Sequence, residues 1–372
     1  MKKIIYNQLL KDITKFFLLS SLSLSLIIWV IQAVNFLDYI SEDGHGLLTY
    51  FYITTLNFPK IFSRILPFCV FISIFYTLNR YENKNELLIF WNIGINKIKF
   101  VNVLIIFSFL FLFLQIFLNT LIVPKTLDSA RDKIRNSNVD FFPNLIKEKK
   151  FIDVVENLTI FVESKSRNGD LKNIYLKDLI KDNQSQIIYA ESGKIVSEDG
   201  LNFLVLNNGS FIDINDNNLT RFAFKKTEIN LAKYSSKTTK TPKFQELSTI
   251  SLISCLYKLN YNIFLTSIPE YFLCEDRSEG DIDEELFKRI IKPFFIPSIV
   301  LIACFIILSS KDSFNYSRFQ YFLFFVGFFV IVTSEIAARY IGNSKVELFI
   351  IVPIIIFLIS YLLFFLKLKV NR

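Results

Sequence analysis

Residues 99–123 read KFVNVLIIFSFLFLFLQIFLNTLIV, an apolar stretch closed by Pro124. A helix of roughly 20 such residues crosses a bilayer core about 30 Å thick. Beyond it the pattern changes. FIDVV at 151–155 and LTIFVE at 158–163 are short and bounded by polar residues, as half-buried strands are. Long apolar runs resume only near residue 291.

Two further apolar windows precede this one, at 13–36 and 58–79, and three follow the interruption, at 291–310, 319–338 and 347–366. The 372-residue chain therefore reads as an α+β membrane protein with six transmembrane helices, three before and three after an inserted β domain. Residues 1–123 carry helices 1–3, 124–290 the soluble domain and its linkers, and 291–372 helices 4–6. The first window is retained, since the run Phe16 to Val34 is longer than a signal-peptide core. Gln32, Asn35 and Asp38 follow it in place of a small-residue cleavage site.

Basic residues in short loops stay on the cytoplasmic side. Lys2, Lys3, Lys11, Lys15, Arg80, Lys84, Lys97, Lys99, Lys311, Arg318, Lys367, Lys369 and Arg372 share one side with only four acids, Asp12, Glu82, Glu86 and Asp312. The other side is balanced. Both termini are expected inside and the insert outside. Residues 124–290 hold 24 basic and 25 acidic residues, so the net charge of +8 belongs to the membrane part and gives no support to nucleic-acid binding.

Within the insert nine strands are expected: 151–155, 158–163, 171–176, 186–190, 194–197, 202–206, 210–214, 220–224 and 227–231. Turns are expected at Asn168-Gly169-Asp170, Asp199-Gly200 and Asn208-Gly209, where glycine takes positive φ cheaply. Many short strands at this spacing suggest a sandwich, barrel or jelly roll.

Catalytic signatures are scarce. No G-x-x-x-x-G-K-[ST] loop occurs, and Gly193-Lys194 runs into Ile195. The single histidine, His45, lies in Asp43-Gly44-His45-Gly46 and reads as turn surface, so no metal site and no catalytic residue is expected. Cys69 and Cys304 lie in spans and read as small apolar packing residues. Cys255 and Cys274 fall on the outer side, where an oxidising compartment permits them to pair.

The loop after the second window is the most informative short segment: TLNRYENKNELLIFWNIG, Thr77 to Gly94. Glu86 to Trp91 is amphipathic and Gly94 is a natural stop, giving a short helix at about 84–93. It suits an interfacial helix anchored by Phe90 and Trp91, or a peg offered to a soluble partner.

This segment resembles the coupling helix of the LptF/LptG (YjgP/YjgQ) permeases of the lipopolysaccharide export transporter. The resemblance extends to Leu66-Pro67 in the second window, to the Ala190-Glu191-Ser192-Gly193 and Asn207-Asn208-Gly209 turns, and to Glu285, Arg289 and Pro293 entering the fourth window. The resemblance of the last two windows, with the overall spacing, favours LptF over LptG. The resemblance implies an inner-membrane permease paired with an LptG-like chain over an LptB-like ATPase dimer. A periplasmic β-jellyroll would pass lipopolysaccharide to an LptC-like protein. ATP and Mg would sit on the ATPase, and this chain would bind no cofactor. Glu86 matches the acidic residue that engages the ATPase, with Leu87, Phe90 and Gly94 completing that helix. The first and fifth windows would line lateral gates.

A phosphorylated lipid calls for cations near the outer surface. Lys60 and Arg64, one turn apart, and Lys125, Arg131 and Arg135 after the third window are the candidates. The plainer alternative is snorkelling to headgroups, or pairing with Asp128 and Asp132. Where related permeases often carry a basic residue near the outer end of the first span, Gln32 and Asn35 stand. Glu335 and Arg339 are spaced for an i,i+4 pair. Two other readings remain: a membrane-anchored periplasmic sensor or scaffold with a ligand-binding β domain, and a lipid-modifying enzyme. The first expects a cytoplasmic output domain and the second a cluster of polar residues at the interface.

Overall fold

A helix that is apolar all round has nowhere to sit but inside. In the computed structural model of the chain that helix is Phe295–Cys304, every residue of which is buried. The structure describes residues 2–37, 47–136, 146–155, 158–166, 169–181, 184–198, 201–215, 218–231, 243–261, 279–340 and 347–370. His45 and Cys274 lie outside them. Cys255 is disulfide-bonded; Cys69 and Cys304 are free and buried.

The helices are α1 (Lys2–Asn35), α2 (Leu47–Leu56), α3 (Phe58–Asn83), α4 (Glu86–Asn92), α5 (Lys97–Phe117), α6 (Val123–Asn136), α7 (Thr249–Tyr261), α8 (Glu279–Leu286), α9 (Phe295–Cys304), α10 (Tyr316–Tyr340) and α11 (Glu347–Val370). Among the described residues five helical runs are long and apolar enough to cross a membrane: Lys3–Asn35, Leu47–Asn83, Lys97–Lys133, Glu279–Leu308 and Tyr316–Tyr340. The sixth expected window is α11, whose described apolar part, Pro353–Phe365, is shorter. The second and third runs are each 37 residues. At 1.5 Å per residue they reach roughly 55 Å, so the expected windows mark only their apolar parts.

The chain divides into two compact units: 1–30, 57–127 and 243–372, and 31–56 with 128–242. Residues 243–261 and 279–290, expected with the soluble insert, therefore group with the helices. The reason is packing: Leu247, Leu252, Cys255 and Ile282 form a small buried cluster joining the 244–247 turn, α7 and α8. In this unit α9 is the axis, packed against α3, α5, α10 and α11. The run containing it is 78% buried in its apolar window, against 17% for α1 and 22% for α10. The last two expose long apolar faces, including Leu22, Leu26 and Val30 on α1 and Phe322, Phe325 and Phe329 on α10. Two polar links tie the α4-proximal end together: Tyr81 Oη donates to Asp12 at 2.8 Å, and Gln320 donates to Asn79.

In the second unit six strands, not nine, form one antiparallel sheet in sequence order: β1 (Phe151–Val155), β2 (Leu158–Lys165), β3 (Asp170–Lys181), β4 (Gln184–Glu198), β5 (Leu201–Asn215) and β6 (Asn218–Asn230). The expected strands 186–190 and 194–197 are one strand, as are 202–206 with 210–214 and 220–224 with 227–231. The segments read as turns between them are strand interior: Ala190 pairs with Gly209 and Ser192 with Asn207. Gly169 does occupy a turn, at φ 84°. Asp199-Gly200 lies outside the described residues, between the paired ends Glu198 and Leu201.

The continuity of these strands has a physical cause. Asn173 in β3 and Asn208 in β5 have φ of 48° and 51°, and pairing skips both, together with Glu191 of β4 between them. At this row the buried alternation slips by one residue. Leu171 is followed by Ile174 and Leu176, and Ile188 and Ala190 by Gly193; Leu204 and Leu206 are followed by the partly buried Phe211. A one-residue change of phase would send the apolar set to the wrong face of a regular strand; the left-handed step, which asparagine tolerates, keeps it on the core. The same crowding fixes two glycines. A Cβ on Gly193 would lie 2.7 Å from Ile174 Cδ1 and 2.8 Å from the Val205 carbonyl, and one on Gly209 would collide with the Tyr189 carbonyl. Gly209→Ala is expected to destabilise the sheet by about 1–3 kcal/mol, seen as faster amide exchange in β4 to β6; unchanged protection would contradict the close approach.

Candidate functional site

Polar side chains inside apolar helices are costly and therefore informative. Here they converge. Lys60, Ser63 and Arg64 from α3 meet Gln115 and Asn119 from the third span, Glu285, Lys288, Arg289 and Lys292 from the fourth, and Glu335 from α10, around a cavity of about 80 Å³. Gln115 donates to the Ser63 carbonyl at 3.3 Å, the Ser63 hydroxyl to the Asn119 side-chain oxygen, and the Asn119 amide to the Lys288 carbonyl at 3.3 Å. Both helices open into π-turns here, Leu118–Ile122 and Phe287–Ile291, which pack on each other. Such local widening is frequent at functional positions.

Arg289 organises one wall. It is 2% exposed, and all five of its N–H groups are used. Nε donates to Glu285 at 2.9 Å, one terminal nitrogen to the Leu247 carbonyl and the Thr249 hydroxyl at 2.9 Å each, and the other to the Phe244 and Gln245 carbonyls at 3.2 Å each. The chain returning at residue 243 is thus fastened to the fourth span. Thr249 adds a bond to the Thr120 carbonyl at 3.1 Å.

The cations divide by environment. Lys292 is 8% exposed and pairs with Glu335; Lys288 pairs with Glu284. The expected Glu335–Arg339 pair is not formed. A buried ammonium left alone costs far more than an exposed guanidinium, so the carboxylate crosses to Lys292 while Arg339 stays exposed. Lys60 and Arg64 line the cavity without an ion pair to any described residue. Lys125 and Arg131, on α6, are not among its lining residues, and the Arg135 side chain lies outside the described ones. Lys288, Lys292, Gln115 and Asn119 were not singled out from sequence. Gln115 and Asn119 carried a signal nonetheless, as polar residues within the apolar run 99–123.

The second place is α4. Asn85 precedes it with φ 61° and Gly94 follows it with φ 79°, so two left-handed residues bracket seven helical ones. Leu87 is fully buried. The Phe90 ring lies edge-on to Tyr81, centroids 5.9 Å apart, and Trp91 packs edge-on to Phe100 at 5.5 Å. Leu87 and Phe90 therefore hold the helix to the bundle; the residues facing outward are Leu88, Ile89 and Ile93, with Glu86 in the first turn.

Residues 7–367 match the family described as lipopolysaccharide export system permease LptF/LptG. The chain belongs to this family. Membership makes it a multi-pass permease of lipopolysaccharide transport in the inner membrane, and the match is to LptF and LptG jointly. The chain is also 21% identical over 258 residues to an uncharacterized protein, RP871, of Rickettsia prowazekii (strain Madrid E), covering 69% of this chain and 71% of that one. In this LptF/LptG permease the charged cavity and α4 belong to one compact unit, and α3 reaches both: Lys60 and Arg64 near its start line the cavity, and Tyr81 near its end packs on α4.

Proposed function

We propose that this chain is one half, LptF-like by the resemblance of its last two spans and the overall spacing, of a heterodimeric transporter core that extracts lipopolysaccharide from the outer leaflet of the inner membrane. An LptG-like chain is the other half, and an LptB-like ATPase dimer, carrying ATP and Mg, docks on the cytoplasmic side. Both termini are cytoplasmic, following the basic loops, and the sheet domain lies in the periplasm, where it passes lipid to an LptC-like β-jellyroll.

The observation that carries this reading is the geometry of α4. A permease without a nucleotide-binding loop needs a rigid part through which another chain's hydrolysis reaches it. Here Leu87, Phe90 and Trp91 are packed inward, while Leu88 and Ile89 are exposed and Glu86 stands half-buried in the first turn of a seven-residue helix. Glu86 is the ATPase-contacting acid, Leu88, Ile89 and Ile93 the apolar patch beside it, and Gly94 the stop that sets the helix length. Leu87 and Phe90 act by holding the helix in place.

Lys60 and Arg64 are proposed to meet the substrate's phosphates at the outer end of the second span, with Lys125, Arg131 and Arg135, which follow the third span in sequence, as further candidates. Support comes from the cavity, where neither cation forms an ion pair with a described residue, although the Glu285 carboxylate lines the same space. The double variant Lys60→Glu/Arg64→Glu is expected to reduce photo-crosslinking of lipopolysaccharide to the cavity several-fold in an assembled complex; undiminished crosslinking would remove the assignment.

A further inference from the structure

The fourth span is the buried axis of its unit and the fifth lies at the surface. Where α10 turns inward it presents small residues: Gly327, Ser334 and Ala338 are buried, and a Cβ on Gly327 would collide with the Phe71 ring of α3. Small residues permit close approach, and Leu323, Phe324 and Val330 of the same helix pack on the core beside them. Between α10 and the fourth span, where Ala338 packs with Phe287 and Phe295, runs a charged link, Lys292 to Glu335, with side chains 9% and 42% exposed. Moving α10 away from this end of the fourth span would strand a buried ammonium, an unfavourable state, unless another anion replaced the carboxylate. Glu335 and Lys292 both open on the cavity lined by Lys60 and Arg64. An anion attracted by those two cations therefore arrives beside the link.

We propose that Lys292–Glu335 is an anion-operated latch: a phosphomonoester entering the cavity takes over Lys292, frees Glu335, and releases the outer end of the fifth span from the fourth. The proposal rests on the reading that the cavity receives substrate phosphates, and adds that the substrate itself loosens the wall it passes. Glu335 is suited to leave because it is the solvent-facing partner. Lys292 is suited to stay, since Pro293 and the π-turn Phe287–Ile291 place it in irregular, buried backbone. Once the anion departs, the uncompensated ammonium draws the carboxylate back.

The test is a distance measurement by pulsed EPR on the assembled transporter in phosphatidylcholine nanodiscs. Spin labels are placed at Phe294→Cys and Tyr340→Cys, both exposed positions on the two spans; Cys69 and Cys304 are buried and stay unlabelled. With lipopolysaccharide, the longer-distance population is expected to rise several-fold. The same rise with inorganic phosphate alone would show that the phosphate group suffices; no rise with phosphate would assign the effect to the lipid headgroup. Glu335→Gln is expected to show the long population without any ligand, and the exchange Lys292→Glu/Glu335→Lys to restore the short one, which separates loss of the pair from misfolding. An unmoved distance in Glu335→Gln, or in the wild type with lipopolysaccharide, would overturn the latch. If crosslinking is lost in Lys60→Glu/Arg64→Glu while the wild-type distance stays fixed, the latch fails and the substrate site stands. Unaltered crosslinking with a lengthened Glu335→Gln distance removes the substrate site and leaves the holding role of the pair.

Discussion

Glu86→Lys is expected to abolish retention of the ATPase subunit when the chain is purified from membranes, with the permease itself still folded. Glu86 stands in the first turn of α4, where the helix dipole favours a carboxylate, and it forms no part of the buried cluster below. Truncating one partner of a buried interfacial charge pair costs about 2–5 kcal/mol, and reversal adds repulsion, so affinity should fall by at least a factor of ~30. Neighbouring residues sharpen the test. Leu88→Asp should also release the ATPase without lowering the permease's thermal midpoint, because Leu88 faces outward. Leu87→Asp should lower the midpoint, because that side chain is fully buried against the bundle. If Glu86→Lys retains the ATPase at wild-type level, α4 is not the coupling element.

The second large effect is expected at Arg289. Replacing it with alanine leaves the Glu285 carboxylate, three backbone carbonyls and the Thr249 hydroxyl without the donor they share. Breaking a buried ion pair by removing one partner costs about 3–5 kcal/mol, and the stranded carbonyls add to that. Arg289→Lys should recover little, since an ammonium offers at most three donors and no planar fork. The loss should appear as a lowered thermal midpoint of the purified complex and as early amide exchange over residues 243–261. A wild-type midpoint in Arg289→Ala would show that the segment is held by its apolar cluster alone.

Much of this molecule was legible because long apolar runs have few ways to fold. The window at 319–338 lies within α10 and that at 13–36 runs one residue past the end of α1, and the basic loops supplied a direction for the proposal. The strand count failed at a specific place. Asn173, Glu191 and Asn208 shift the alternation by one residue while the strands continue, and a change of phase in a sequence looks the same as a turn. Only pairing partners distinguish them, and those lie on other strands.

The charged cavity was half legible. Lys60 and Arg64 stood out by their spacing, but their neighbours Lys288, Lys292 and Glu335 come from two other spans. Which acid pairs with which base depends on burial: Glu335 has Arg339 one turn away in sequence and chooses Lys292 across the contact. On α4 the periodicity showed an amphipathic helix without showing which face was packed. The structure puts Leu87 and Phe90 inward and Leu88 and Ile89 outward, so the residues first expected to touch a partner divide into anchors and contacts.

Whether this chain is half of a machine that moves lipopolysaccharide using another chain's ATP can be read by native mass spectrometry of the complex, purified through a tag on this chain. The expected assembly holds this chain, a second permease of the same family and two copies of an ATPase, with lipopolysaccharide bound and released on addition of ATP and Mg. This chain recovered alone, or a complex carrying only phospholipid before and after ATP, would contradict it.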